Sequence, residues 1–329
     1  MGKFGVIDQF DTPIRGKNLG DYVQTIAALQ FLPEEPVFVD RENMDGYHGE
    51  KLKLIMSSWL MKHPEHWPPS EDIEPLFVSS HFNERILPRL ISKEGKEYLK
   101  KFEPIGCRDT ETADVLKKNG VDAYFSGCLT LTLGKTYQNN GQGEEILLID
   151  TMYSYRTGRE LIFDIFHAPG VLYWRVKKGG MKELKSMYKD TKKKKSYFKK
   201  LFSSDFLKKA ITISQIVPLT KEQDHLQITR DYLTRLSKAK LVVTSRIHCA
   251  LPCLAMNTPV IFIDSELDQH RVSGLKELFN TIKIENGVIT SNFAFDGKIS
   301  LHTKIVNRPD YLELNRHLEE RCNEFVNKK

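Results

Sequence analysis

The stretch Leu241–Asp264, LVVTSRIHCALPCLAMNTPVIFID, constrains the fold more than any other part of the chain. A short apolar run, Leu241–Thr244, leads into Ser245-Arg246-Ile247-His248, then an apolar helical stretch, then a second strand-like run, Pro259–Asp264. Strand, helix and strand in that order make a βαβ unit, which calls for a parallel sheet with both faces covered. Arg246 and His248 then fall where a strand hands over to a helix, at the carboxyl edge where open α/β sheets bind ligands. The unpaired N–H groups of a helix start and the positive end of its dipole suit a phosphate or carboxylate there.

The same alternation runs through the rest of the chain. Phe4–Asp8 reads as a strand, followed by a loop through Asn18 and a helix over Leu19–Phe31. Val37–Val39, Leu52–Ser57 and Leu76–Ser79 read as strands, and Lys93–Lys101 as helical. Pro104–Arg108 and Val121–Phe125 bracket a helix over Glu111–Asn119, closed by Gly120 at a position suited to a left-handed cap. The polar KTYQNNGQGE of Lys135–Glu144 has no periodicity and marks a linker. Strand-like Glu145–Ile149 and Ala210–Val217, a helix over Leu226–Lys238 and the βαβ unit follow, and Pro309–Lys329 reads as an amphipathic helix. Two βαβ series joined by a linker predict an α/β protein of two doubly wound, Rossmann-like domains facing across a cleft. The expected division is 1–138, 139–308 with a basic insertion at 175–209, and a C-terminal helix, 309–329, that can cross back to the first domain.

At 329 residues the chain is long enough for two medium domains. No apolar run approaches the roughly 20 residues that cross a bilayer. The opening MGKFGVIDQF lacks a basic-then-apolar leader, and Val6 stands where myristoylation requires Ser or Thr. A cytoplasmic protein is expected, at most peripheral at the inner face of the plasma membrane. The five cysteines, Cys107, Cys128, Cys249, Cys253 and Cys322, form no CxxC pair and read as buried thiols. Net charge is uneven. Residues 175–209 carry 14 Lys/Arg against three acidic residues, a balance of +11, which leaves the remainder of a +6 chain at −5. Tyr188, Tyr197, Phe198, Leu201 and Phe202 flank the Lys192–Lys195 run, a mixture that suits anionic lipid head groups better than nucleic acid, which is not expected as a partner.

Three short motifs carry candidate chemistry. In Ser245-Arg246-Ile247-His248, Ser245 is placed to cap the helix, Ile247 to enter the core, and Arg246 and His248 to face the cleft. The alternative is an Arg paired with a carboxylate and a His that caps. Pro252 lacks an N–H, so the His248 carbonyl loses its helical partner. Asn18-Leu19-Gly20-Asp21 repeats the strand-to-helix position, with Gly20 permitting close approach to a ligand and Asp21 in the first turn. Arg108 follows a short strand and is either a second anion clamp or the partner of Asp109 or Glu111.

Taken in order, these motifs resemble the polysaccharide pyruvyl transferase family: Asn18–Asp21, then Arg108 with Gly127-Cys128-Leu129-Thr130-Leu131-Thr132-Leu133, then Ser245-Arg246-x-His248 followed by Thr258-Pro259-Val260-Ile261. The resemblance implies a fold similar to the two-domain GT-B glycosyltransferases. It also implies transfer of the enolpyruvyl skeleton of phosphoenolpyruvate to two hydroxyls of a saccharide, giving a cyclic pyruvate ketal and phosphate. Arg108 and Arg246, with Ser245 and Ile247 beside the latter, are then expected to bind phosphoenolpyruvate, and His248 to protonate its methylene carbon. Asn18, Gly20 and Asp21 would face the acceptor, with Asp21 as base for its hydroxyl. The acceptor can be a lipid-diphosphate-linked saccharide, and no metal or further cofactor is expected. Relatives that carry an acidic residue near the end of the central strand differ from this chain, which has Gly127-Cys128-Leu129. A nucleotide-sugar glycosyltransferase is the nearest rival, with Asp264 or Glu266 holding a ribose. A non-catalytic binder using the basic segment is the other.

Overall fold

The computed structural model describes residues 3–8, 17–33, 35–141, 143–155, 169–217, 224–265, 272–295 and 297–328. Glu266 lies outside them. Two sheets organise these residues. In the first, the strand Lys3–Asp8 lies between Val37–Asp40 and Leu52–Ile55, and Leu52–Ile55 also pairs with Ile73–Leu76, all parallel. The chain beyond Leu76 runs on to a parallel bridge between Ser80 and Cys107, so Ile105–Cys107 and its parallel partner Ala123–Phe125 extend the same layer. In the second sheet, Ile146–Ile149 lies between Ile211–Ile213 and Leu241–Thr244. Val260–Ser265 and Asn280–Glu285 continue it in parallel, and Val288–Ser291 closes it antiparallel.

In each sheet the first strand has later strands on both sides, which creates a point where strand order reverses and ligands of doubly wound sheets bind. In the first sheet that point lies beyond Asp8 and Ile55. In the second it lies beyond Ile149 and Thr244, where Asp150 and Ser245-Arg246 follow. The expected α/β class with parallel sheets is therefore present.

Both faces of each sheet are covered. Leu147 and Ile149 point to one side, into an apolar cluster shared with Val6, Ile55, Val23 and Leu251. Ile146 and Leu148 point to the other, toward Tyr197, Phe202 and Phe206. The outer face of the first sheet, with Leu52, Leu54 and Ile7, packs on Trp67, Phe77 and Leu116. The shared cluster joins the sheets through the helices Leu19–Leu29, His225–Ser237 and Ile247–Ala255. The helix Leu312–Asn327 also returns to the first sheet. Phe325 O accepts from Lys53 Nζ at 3.2 Å, and Asn315 Nδ2 donates to Leu131 O at 2.7 Å.

Several expectations shift. The strand expected at Leu76–Ser79 is Ile73–Leu76, because Phe77–Ser80 leaves its neighbour to meet Ile105–Cys107. The strand expected over Ala210–Val217 divides: Ile211–Ile213 stays in the sheet, while Ile216–Val217 pairs antiparallel with Lys17–Asn18. Gln215 N, between the halves, donates to Asp150 Oδ2 at 3.1 Å and turns the chain. The basic segment is helical, over Pro169–Leu201 and Ser204–Lys209. Its aromatic interleaving faces inward. Tyr197, Leu201, Phe202 and Phe206 are buried against the second sheet, and the rings of Phe202 and Phe206 stack at 5.0 Å. Core packing therefore accounts for Tyr197, Leu201 and Phe202, while Tyr188 remains exposed. Gly120 has φ +77°, as a left-handed cap requires. All five cysteines are buried, and burial pushes the Cys322 thiol up to about 12. Among the described residues, no helix is long and apolar enough to cross a membrane.

The Gly127–Leu133 stretch does packing work. Leu129–Lys135 forms a tight 3-10 helix whose Leu129, Leu131 and Leu133 are fully buried against Ile247–Ala255. At Gly134 a side-chain carbon would stand 2.0 Å from the backbone oxygen of Ala255, which cannot swing away as a side chain can. Gly134→Ala is therefore expected to destabilise the protein by about 1–3 kcal/mol through overpacking. An unchanged urea midpoint would show that the two segments separate freely.

Candidate active site

The pocket, about 550 Å³, opens beyond the carboxyl ends of parallel strands from both sheets. Asn18, Asp21, His81, Arg108, Asp109 and His248 line it, with Trp59, Arg41 and Lys62 farther along its wall. Five of the six follow the end of a strand or open a helix, which is where the sequence places chemistry in such a fold, and His81 begins the short strand His81–Phe82.

His248 stands in the first turn of Ile247–Ala255. The cap expected at Ser245 falls one residue later, on Arg246, because Ser245 is spent elsewhere. Its hydroxyl donates to Ile263 O at 2.6 Å and accepts from Met152 N at 2.9 Å, tying three strand ends together. Thr244 Oγ1 accepts from Arg246 N at 2.9 Å in its place. Ile247 packs against the shared core as expected. The helix continues through Pro252.

Arg246 does not line the pocket. Its Nε donates to Asp150 Oδ2 at 2.9 Å, and its guanidinium lies 4.1 Å from the centre of the Tyr153 ring. Only Nε is spent in that ion pair, and a quarter of the side chain (24%) remains exposed. Asp150 has φ +42°, a left-handed conformation that bends the chain sharply after the strand and brings its carboxylate beneath Arg246. The pairing left open by the sequence is present, and its partner is Asp150.

Asn18 caps Leu19–Leu29, its Oδ1 accepting from Gly20 N at 3.1 Å and from Gln215 Nε2 at 2.9 Å. Gly20 permits close approach to protein rather than open space. A side-chain carbon there would stand 2.1 Å from Gln215 Nε2 and 3.0 Å from His248 Cβ. Gln215, buried, also accepts from the Tyr232 hydroxyl at 3.3 Å, and its carbonyl accepts from Leu19 N at 3.0 Å. A continuous hydrogen-bonded path therefore runs from Arg246 through Asp150 and Gln215 to Asn18. Sequence reading missed Asp150 and Gln215; each follows the end of a parallel strand, a position that would have marked them.

Arg108 is 2% exposed and forms part of the pocket wall. Placing a guanidinium there costs several kcal/mol of hydration before its partners are counted. Its charge is felt nearby: burial raises the Cys128 thiol and Arg108 opposes that rise. Asp109 caps the helix Thr110–Lys118, its Oδ1 accepting from Thr112 N at 2.8 Å. Its Oδ2 meets His81 Nδ1 at 2.5 Å. Burial favours the neutral acid at Asp109. The His81 hydrogen bond and charge, the Thr112 N–H and Arg108 outweigh it and hold the carboxyl below its ordinary range. His81 was absent from the sequence expectations, because nothing in Ser79-Ser80-His81 distinguishes it without knowing what it faces.

Asp264, offered for a ribose, is 1% exposed within the strand Val260–Ser265. Among the described residues, no group of three His, Cys, Asp or Glu side chains can hold a metal ion.

The fold is a doubly wound α/β one, with cations and imidazoles gathered in one pocket beyond its strand ends. The family is more definite. The polysaccharide pyruvyl transferase family model matches residues 18–266, and the chain belongs to that family. It is a transferase, with pyruvate the group moved and a polysaccharide the receiver. No curated protein matches the chain.

Gln215 links the two sides of this site, so its loss should be felt in both. Gln215→Ala removes the donor to Asn18 and the acceptor of the Tyr232 hydroxyl, and is expected to cost about 1–3 kcal/mol. Urea unfolding measures it, and a change below a few tenths of a kcal/mol would show that water replaces the amide.

Proposed function

We propose that the chain transfers pyruvate from phosphoenolpyruvate to two hydroxyls of a saccharide, forming a cyclic ketal and releasing phosphate. The observation that carries this reading is the meeting of Arg108, Asn18, Asp21 and His248 in one pocket, with each residue at the end of a parallel strand or the start of a helix. Phosphoenolpyruvate carries two anionic groups, so it suits a guanidinium beside the start of a helix. Arg108 binds one anionic group. Arg246, held by Asp150 and Tyr153, presents its remaining donors to the other, with Ser245 and Ile247 setting the turn that carries it.

His248 gives a proton to the methylene carbon, the carbon beside it gains oxocarbenium character, and an acceptor hydroxyl attacks. Phosphate leaves and the second hydroxyl closes the ring. Asn18, Gly20 and Asp21 form the acceptor side, where Asp21 accepts from an acceptor hydroxyl. Residues 1–138 act as the acceptor half and 139–308 as the donor half of a GT-B-like arrangement. The scheme calls for neither metal nor further cofactor.

A lipid-diphosphate-linked saccharide in exopolysaccharide or capsule assembly fits the exposed lysines of 175–209 at a membrane's cytoplasmic face. The charges alone support that contact, at about 1 kcal/mol per Lys near an anionic surface.

His248→Ala is expected to lower phosphate release from phosphoenolpyruvate by about 10²–10⁴-fold, with the fold intact by circular dichroism. Near-normal turnover would sink this role. Arg246→Ala removes charged hydrogen bonds worth about 1.5–3 kcal/mol, so phosphoenolpyruvate should bind roughly 10–150-fold more weakly by calorimetry. Equal affinity would mean that Arg246 serves Asp150 alone.

A further inference from the structure

Resting on the phosphoenolpyruvate reading, we propose that His81, held by Asp109, is the base that takes the protons of the acceptor hydroxyls. Proton accounting requires such a group. Two protons go on: one to the methylene carbon, and one to the bridging phosphate oxygen as its C–O bond breaks. Two come off, one from each hydroxyl as its C–O bond forms. His248 supplies the first. Neutral His81 takes the proton of the first hydroxyl, returns it to the departing phosphate oxygen, and takes the second when the ketal closes. That last proton balances the one given by His248.

The geometry around His81 is that of an oriented base. Both oxygens of Asp109 are engaged, Oδ1 by Thr112 N at 2.8 Å and Oδ2 by His81 Nδ1 at 2.5 Å. A carboxylate kept ionised only accepts, so the proton of this bond sits on Nδ1 and the basic lone pair on Nε2. The main chain is pinned as well, with His81 N donating to Ser58 O at 3.0 Å. His81 and Asp109 are 6% and 1% exposed, yet both line the pocket that holds Arg108 and His248. A carboxylate so placed fixes the ring tautomer and stabilises the imidazolium that forms on proton uptake.

His248 and His81 reach the pocket from different elements, one in the helix that follows Leu241–Thr244 and the other in the short strand His81–Phe82, which pairs with Trp59–Leu60. Acid and base thus come from separate elements, which lets them address different substrates. Asp21, in the first turn of its helix, lines the same pocket and is the alternative base.

The test uses the full-length protein, phosphoenolpyruvate and a panel of methyl hexopyranosides, reading phosphate release and, by calorimetry, phosphoenolpyruvate affinity. His81→Ala is expected to lower kcat about 10²–10⁴-fold with the affinity for phosphoenolpyruvate unchanged, and added imidazole should restore at least about tenfold of the loss. Asp109→Asn keeps a capping side chain but imposes the wrong tautomer, and should lower kcat by at least about 100-fold with the fold retained by circular dichroism. Turnover within about threefold of the parent in either variant, or a loss in His81→Ala that imidazole does not rescue, would overturn the assignment while leaving the donor reading intact. A parent protein that binds no phosphoenolpyruvate, or releases phosphate with no sugar of the panel, would overturn the donor reading and the base with it.

Discussion

The site rests on the close approach of two helix starts, Leu19–Leu29 and Ile247–Ala255, which a residue without a side chain eases. Gly20 leaves its neighbour space for Gln215 Nε2 and His248 Cβ, at 2.1 and 3.0 Å from where its own side chain would begin. Glycine inside a helix costs about 1 kcal/mol against alanine, a cost spent here on proximity. The proximity is then fixed by polar bonds, since Gln215 touches Asn18, Tyr232 and Leu19 N at once. His248 therefore inherits its position from the opening helix as much as from its own.

The two sheets consequently act as one body around this contact. Leu129, Leu131 and Leu133 fill the space between Ile247–Ala255 and the opening helix, and Leu318 and Cys322 seal the same cluster from the C-terminal helix. A cluster shared in this way resists hinge opening, because parting the sheets exposes fully buried leucines at about 25 cal/mol per Å². The pocket lies at the edge of that cluster, where the strand ends diverge. Rigid placement of His248 against Arg108 follows, which is what the proposed protonation of one particular carbon calls for.

How far the sequence reveals this varies with the kind of signal. Leu241–Thr244 matches the structure residue for residue, because a fully buried central strand is apolar throughout and its ends are marked by Lys240 and Ser245. Asn280–Glu285 and Val288–Ser291 were legible but unread: Ile282 and Ile284 alternate with Thr281 and Lys283, and Asn286-Gly287, with φ of +50° and +84°, is the hairpin turn between them. The aromatic residues of the basic segment carry a second, ambiguous kind of signal. A helix with lysines outside and tyrosine and phenylalanine inside has the composition of a lipid-binding arm until the period is resolved. His81, Asp150 and Gln215 belong to a third kind. Their importance lies in what they face across 28, 96 and 197 positions of sequence separation, and no local pattern carries that information.

The pairing of Arg246 with Asp150 shows why motif and mechanism are separate steps. Read alone, a guanidinium bound to a carboxylate is the ordinary structural outcome, and here both partners are largely shielded from water. The placement changes its meaning. Asp150 holds Nε while Tyr153 lies 4.1 Å from the guanidinium, so the plane of the group is set and its outer donors share one direction. An arginine free to rotate would lose that order each time an anion bound. Fixing it beforehand transfers the entropy cost from binding to folding, where the strained turn at Asp150 has already met it. The ion pair thus leaves Arg246 fitted for the anion-binding role proposed for it, on the side opposite Asp150.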